Sequence, residues 1–302
     1  MSESSQQEVP GHWDRFWFTP DSIGPMAFVR GLLCIIAAFY FVSSWGDVGF
    51  WYADEGPLSS ERIASFLQTS GLTAPARWIV SPLFLSSSVL VYRAYLIAGI
   101  CLSVLSLTGR GGRAIPWLLW IFVVGWANRA MLLSSLTESA LSLGLFAAAI
   151  APPGPITAKS HAADRKHWTA GFASRVMAAQ VTLLGGATFV TMLAGRVWFN
   201  GMGAYALAAP TQNRTIDWTR FAAFRNPLVY ESITHLLMFM LPLGLMLAWL
   251  PKTNRTGQII LVLWCAVIGA LGSHWLYAAT MATMALSIRP RSVALPSSRS
   301  AQ

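Results

Sequence analysis

At 302 residues, with 55% hydrophobic and 11% charged side chains and a mean hydropathy of +0.52, the chain has less than half the roughly 25% charge of a soluble globular domain. That balance excludes a soluble fold and predicts an all-α, polytopic transmembrane helical bundle. The formal net charge of +9 comes mostly from arginines placed singly or in pairs at the ends of apolar runs, with no basic stripe interleaved by aromatics, so nucleic acid is excluded as a partner.

Taken in order, residues 1–22 are read as a retained interfacial segment. They lack a basic stretch and a small-residue cleavage site, and Trp13-Asp14-Arg15-Phe16-Trp17-Phe18 suits a short helix at the bilayer surface. Gly24 to Trp45 is the first span, with Arg30 snorkelling near its start. A loop follows, in which Ser59 or Ser60 caps a short amphipathic helix with Ile63, Phe66 and Leu67 on one side.

The second span is placed from Phe84 to Leu107. Its Arg93 would cost about 3 kcal/mol inside the hydrocarbon, so it faces the bundle, pairs with an acid, or marks the true helix start. The basic turn Gly109–Arg113 leads to a third span, Ile115 to Leu133, and a short fourth, Glu138 to Ile150. Trp126, Asn128 and Arg129 near the end of the third face Glu138 at the start of the fourth, and an Arg129–Glu138 ion pair is expected.

A polar connection from Ala158 to Trp168 precedes the fifth span, Val176 to Ala194, which contains Gln180 and breaks into a turn through Arg196, Trp198, Asn200, Gly201 and Gly203. The sixth, Leu228 to Leu250, carries Glu231 and His235 on one face. Gly257 to Ile288 is then apolar for about 32 residues, about 48 Å if helical, with His274 inside it. A run that exceeds the hydrocarbon thickness must tilt, protrude or break. The expectation is seven spans, or eight if the chain breaks near Gly269 to Gly272. Residues 289–302 are read as a disordered tail.

The basic turns fall on one side when spans alternate, which places them, and the N-terminus, in the cytoplasm. Cys34, Cys101 and Cys265 lie inside apolar runs and in no metal-binding spacing, so no metal or disulfide framework is expected.

Gln180, then Trp198-Phe199-Asn200-Gly201, Gly203 and Tyr205, resembles the signature of the HTTM family, membrane proteins similar to vitamin K-dependent γ-glutamyl carboxylase. Further likeness lies in Arg30, Tyr52 to Leu58, Asn128-Arg129 with Glu138 and Pro152-Pro153-Gly154, and His274. The resemblance covers most of residues 23–288, read as one HTTM-like transmembrane domain. It implies a catalytic Lys six residues before the signature Trp and a functional His at the Arg129 position. Here those places hold Met192 and Arg129, a Tyr place holds Gly185, and an acid place before Pro242 holds Met238.

Neither Met nor an always-charged Arg serves as a general base, so no catalytic residue is assigned. The favoured expectation is a non-carboxylating bundle of the bacterial inner membrane that binds a lipid or quinone, or a partner subunit of a membrane complex. The alternative is a membrane enzyme related to the carboxylase. For a quinone, Trp126, His235 and His274 are the polar groups proposed within apolar walls.

Overall fold

Capping residues cut the apolar sequence into helices. In the computed structural model, which describes residues 11–53, 55–69, 81–86, 88–130, 133, 135–154, 165–210 and 215–290, the chain begins with α1 (His12–Phe18), β1 (Asp21–Ser22), α2 (Ile23–Ser43), α3 (Val48–Trp51) and α4 (Ser60–Thr69). It continues through α5 (Val89–Leu107), α6 (Ala114–Arg129), α7 (Leu136–Ile150), β2 (Lys166–His167) and α8 (Trp168–Ala194). The short α9 (Arg196–Phe199) and α10 (Gly203–Ala208) precede α11 (Pro227–Trp249), α12 (Asn254–Gly272) and α13 (Trp275–Ala285).

Among the described residues α2, α5, α8, α11 and α12 are long and apolar enough to cross a membrane. The helices α6, α7 and α13 have 16, 15 and 11 residues, or about 24, 22 and 16 Å at the helical rise.

Local chemistry explains where the helices start. Ser135 accepts from the Thr137 N–H while Glu138 reaches back to the Ser135 N–H, a reciprocal box that opens α7 and contributes about 1 kcal/mol. Asn226 caps α11 with Pro227 behind it, and the His167 ring accepts from the Thr169 N–H to open α8. That helix therefore starts eight residues before the expected Val176. Similarly, Ser81 caps a 3-10 turn at Pro82–Leu85, so α5 begins at Val89 and not at Phe84. Arg93 then lies in the first turns of α5, exposed and 5.6 Å from the Trp45 ring centroid, which selects the helix-start reading over burial or an acid partner. On α4, Ile63 is buried and Phe66 exposed, and the Leu67 side chain lies outside the described residues.

Successive helices alternate in direction, and long-range bonds define two ends of the bundle. At the first, Arg30 donates to the Pro152 carbonyl at 2.8 Å and to that of Gly154. Asp21–Ser22 pairs with Lys166–His167, and Arg175 donates to the Trp17 carbonyl at 2.7 Å. There α1 lies on α8 with Phe18 stacked on Phe172, while Trp13, Phe16 and Phe18 stay exposed. This end also receives Arg110, Arg113, Lys252, Arg255 and Arg289, and is called the basic end below. At the far end Trp218 donates to the Ala270 carbonyl at 2.9 Å, and the Thr234 hydroxyl accepts from the Ala204 N–H at 2.9 Å and donates to the Gly201 carbonyl. Gly201 has φ 77, and a β-carbon there would sit 2.6 Å from Glu231 Cγ, so the signature turn needs glycine for both conformation and space.

The final apolar run is not one helix but breaks just after Gly272, at the edge of the Gly269 to Gly272 stretch given as the alternative to a single span. Ser273 adopts the left-handed region at φ 56, ψ 23, a conformation that a short polar residue tolerates as a single position, and the chain reverses. Gln258 near the start of α12 donates to the Ile288 carbonyl at 2.9 Å, while a β-carbon on Gly269 would lie 2.9 Å from that of Ala278. Hence α12 and α13 form an antiparallel hairpin that returns Arg289 to the basic end. Residues 1–10 and 291–302, with most of the interfacial segment's acidic start and most of the expected tail, lie outside the described residues.

Candidate functional site

Arg129, the last residue of α6, is fully buried at the far end. Its Nε donates to the Tyr92 hydroxyl at 2.8 Å and its Nη2 to the Leu58 carbonyl at 2.6 Å. The rings of Tyr52, Phe84 and Tyr92 surround Cζ with centroids at 4.9, 5.3 and 5.3 Å, a desolvated cation among π faces. Nη1 is buried with no hydrogen-bond partner. Burial raises the Tyr52 hydroxyl above the usual tyrosine range, although the Arg129 charge opposes that shift; the phenol is therefore protonated at neutral pH.

The expected Arg129–Glu138 ion pair is not present among the described residues. Glu138 Oε2 accepts from the Ser135 N–H at 2.6 Å and the Ser135 hydroxyl at 2.9 Å, while Oε1 accepts from the Tyr40 hydroxyl at 3.3 Å. Its position three residues after a serine N-cap commits the carboxylate to the α7 terminus. Arg129 instead ties α6 to α5 and to the loop before α4.

Two cavities flank the start of α7. The larger, about 400 Å³, is lined by Ser135, Leu136, Thr137, Thr188, Thr191, Met192, Trp198, Leu207, Trp264, Ile268, His274 and Tyr277. Its walls are mainly apolar, with hydroxyls from α7 and α8 and the His274 imidazole from the hairpin bend. The smaller, about 280 Å³, is lined by Tyr40, Ser43, Ser44, Asp47, Tyr52, Trp126, Ala130, Leu133, Ser135, Thr137, Glu138 and Leu276. Ser135 and Thr137 border both, so the first turn of α7 is their common wall.

Four of the residues singled out from sequence thus meet around these cavities: Trp198 and His274 on the larger, Trp126 and Glu138 on the smaller. Arg129 sits behind Tyr52. Asn128 is half-buried beside it on α6, and Asn200 is exposed at the end of α9. Gln180 is half-buried with Oε1 buried and without a hydrogen-bond partner. Glu231 is exposed against Gly201, and His235 Nδ1 lies 3.0 Å from the Glu231 carbonyl, not its carboxylate. None of these six, Arg129 and Asn128 included, lines either cavity. The three groups expected to share a quinone site are therefore apart, Trp126 on the smaller cavity, His274 on the larger and His235 on neither.

Sequence reading missed Thr188, Thr191, Tyr277 and Trp264 on the larger cavity and Tyr40, Asp47 and Tyr52 on the smaller. The spacing of Thr188, Thr191 and Met192, three and four residues apart, was the available signal for a common face of α8. Among the described residues no group of three or more His, Cys, Asp or Glu side chains could hold a metal ion. No family model, curated protein or solved structure matches the chain.

Proposed function

We propose that the protein is an HTTM-like integral protein of the bacterial inner membrane, with its basic end and N-terminus in the cytoplasm, and that it binds a lipid or quinone in the larger cavity without carboxylating glutamate. The observation that carries this reading is Met192. At the position where the resemblance implies a lysine base, a buried thioether lines a cavity of about 400 Å³, a volume within the range of about 300–1,000 Å³ usual for small-molecule sites. A thioether adds apolar contact and cannot take up a proton at neutral pH. Trp198 and His274, also on that wall, supply an aromatic surface and an imidazole able to orient a polar group.

The concentration of Arg and Lys at one end supports the orientation by the positive-inside rule. The α12–α13 hairpin supports an even number of crossings, eight with the shorter helices counted. Mass spectrometry of the purified protein's lipid extract tests the binding reading. A co-purifying amphiphile is expected in near-stoichiometric amount, and Met192→Trp, which fills the cavity, should reduce it severalfold while the protein stays folded. Equal retention by that variant would refute the site.

A further inference from the structure

The smaller cavity has a chemistry of its own. Most of its hydroxyl donors are already engaged: Ser43 and Ser44 donate to the Tyr40 carbonyl at 2.8 and 3.0 Å, and Tyr40 and Ser135 donate to Glu138. The Tyr52 and Thr137 hydroxyls and the Trp126 indole N–H remain as side-chain donors among the described lining residues. The acceptors, by contrast, are in excess. Asp47 is exposed to the cavity mouth, and an ionised carboxylate accepts hydrogen bonds at about four sites and donates none. Glu138 adds a second carboxylate, and among the described residues no Lys or Arg lines the space. Arg129, whose guanidinium lies 4.9 Å from the Tyr52 ring on the far side of that wall, offsets one of the two negative charges and leaves the other.

From this imbalance we infer that the amphiphile carries a cationic, hydrogen-bond-donating head, an amine, which occupies the smaller cavity while its apolar part fills the larger one. The inference rests on the reading that the larger cavity holds an amphiphile, but the head chemistry comes from different residues. Ser135 and Thr137 border both cavities, so the two environments are adjacent across the first turn of α7, a separation that one amphiphile is inferred to bridge. A phosphate or carboxylate head would meet two carboxylates, and a neutral carbonyl head would leave the remaining negative charge uncompensated. An ammonium group supplies the donors and the charge that the wall lacks.

The test uses three ligands with one tail. Dodecylamine, dodecanol and dodecyl phosphate are titrated into the detergent-purified full-length protein at physiological salt, and saturable quenching of tryptophan fluorescence is read, since Trp126, Trp198 and Trp264 border the cavities. The amine is expected to bind at least about tenfold more tightly than the alcohol, the difference one charge-assisted hydrogen bond supplies, and the phosphate most weakly. Asp47→Asn, a change at an exposed position, should abolish the amine's preference over the alcohol. Equal affinity of amine and alcohol for the native chain, or an amine preference that survives Asp47→Asn, overturns the head assignment while the apolar site stands. If none of the three binds, the amphiphile reading fails and takes this inference with it.

Discussion

Replacing Arg129 by Met removes two hydrogen bonds from a charged donor, those to Tyr92 at 2.8 Å and to the Leu58 carbonyl at 2.6 Å. Each is worth about 1.5–3 kcal/mol, and the Leu58 carbonyl is left without its partner. Against this, the change removes a buried cation whose Nη1 is unpartnered, so part of the desolvation cost is recovered. Tyr92 is not orphaned, because its hydroxyl donates to the Leu83 and Ser86 carbonyls. The balance is a loss of about 2–4 kcal/mol. Arg129→Lys is expected to do little better, since one ammonium cannot hold two divergent acceptors and stack on the rings. Unfolding in detergent, followed by tryptophan fluorescence, gives the magnitudes. Glu138→Gln should cost under about 1 kcal/mol, because Gln also serves at the third position of a capping box. As the two side chains have separate partners, the double variant should equal the sum of the singles to within about 0.5 kcal/mol. If Glu138→Gln instead restores stability to Arg129→Met, the two act as an ion pair and the separate-partner account is wrong.

Gly257→Ala drives a β-carbon into the Ala248 backbone where α11 and α12 touch; overpacking of this kind costs about 1–3 kcal/mol, and an unchanged unfolding midpoint would contradict the close approach. Reporter fusions should place Arg113 and a site after Pro290 in the cytoplasm and Thr211 outside; an external reporter after Pro290 would refute the returning hairpin. Purified protein given reduced vitamin K, labelled bicarbonate and a Glu-rich peptide should incorporate no label above a heat-killed control, and incorporation would reinstate the enzyme reading despite Met192 and Arg129.

Hydropathy made most helices legible because a spanning helix announces itself by composition over about 20 residues. It was blind where composition does not change. Ser273 lies inside a continuous apolar run, and its left-handed backbone at φ 56 goes with the packing of α13 back on α12; run length and the glycines at 269 and 272 offered a break there only as the alternative to a single span. Glu138 illustrates a different failure. Spacing to Arg129 suggested a pair, yet Ser135-Leu136-Thr137-Glu138 is a capping-box sequence, and a local bond available within one helical turn wins over a contact that must be built by folding. Trp198 and His274 were legible as residues of interest but not as neighbours, because the larger cavity is lined from α7, α8, α9, α10, α12, the hairpin bend and α13, elements that meet only in the folded bundle.

The far end also explains why the informative residues gather there. The basic end is knitted by Arg30, Arg175, Asn254 and Gln258 donating to backbone carbonyls distant in sequence. At the far end the bundle is held instead by Arg129, Glu138, Thr234 and Trp218 around its perimeter, and the space between α7, α8 and the hairpin bend stays open. Because both cavities lie at the far end, an amphiphile is expected to enter from the leaflet at that end. On the proposed orientation that is the outer leaflet, so a membrane-impermeant quencher added outside right-side-out vesicles should displace or quench a bound fluorescent amine. Quenching only after the vesicles are inverted would reverse the orientation while leaving the cavity in place.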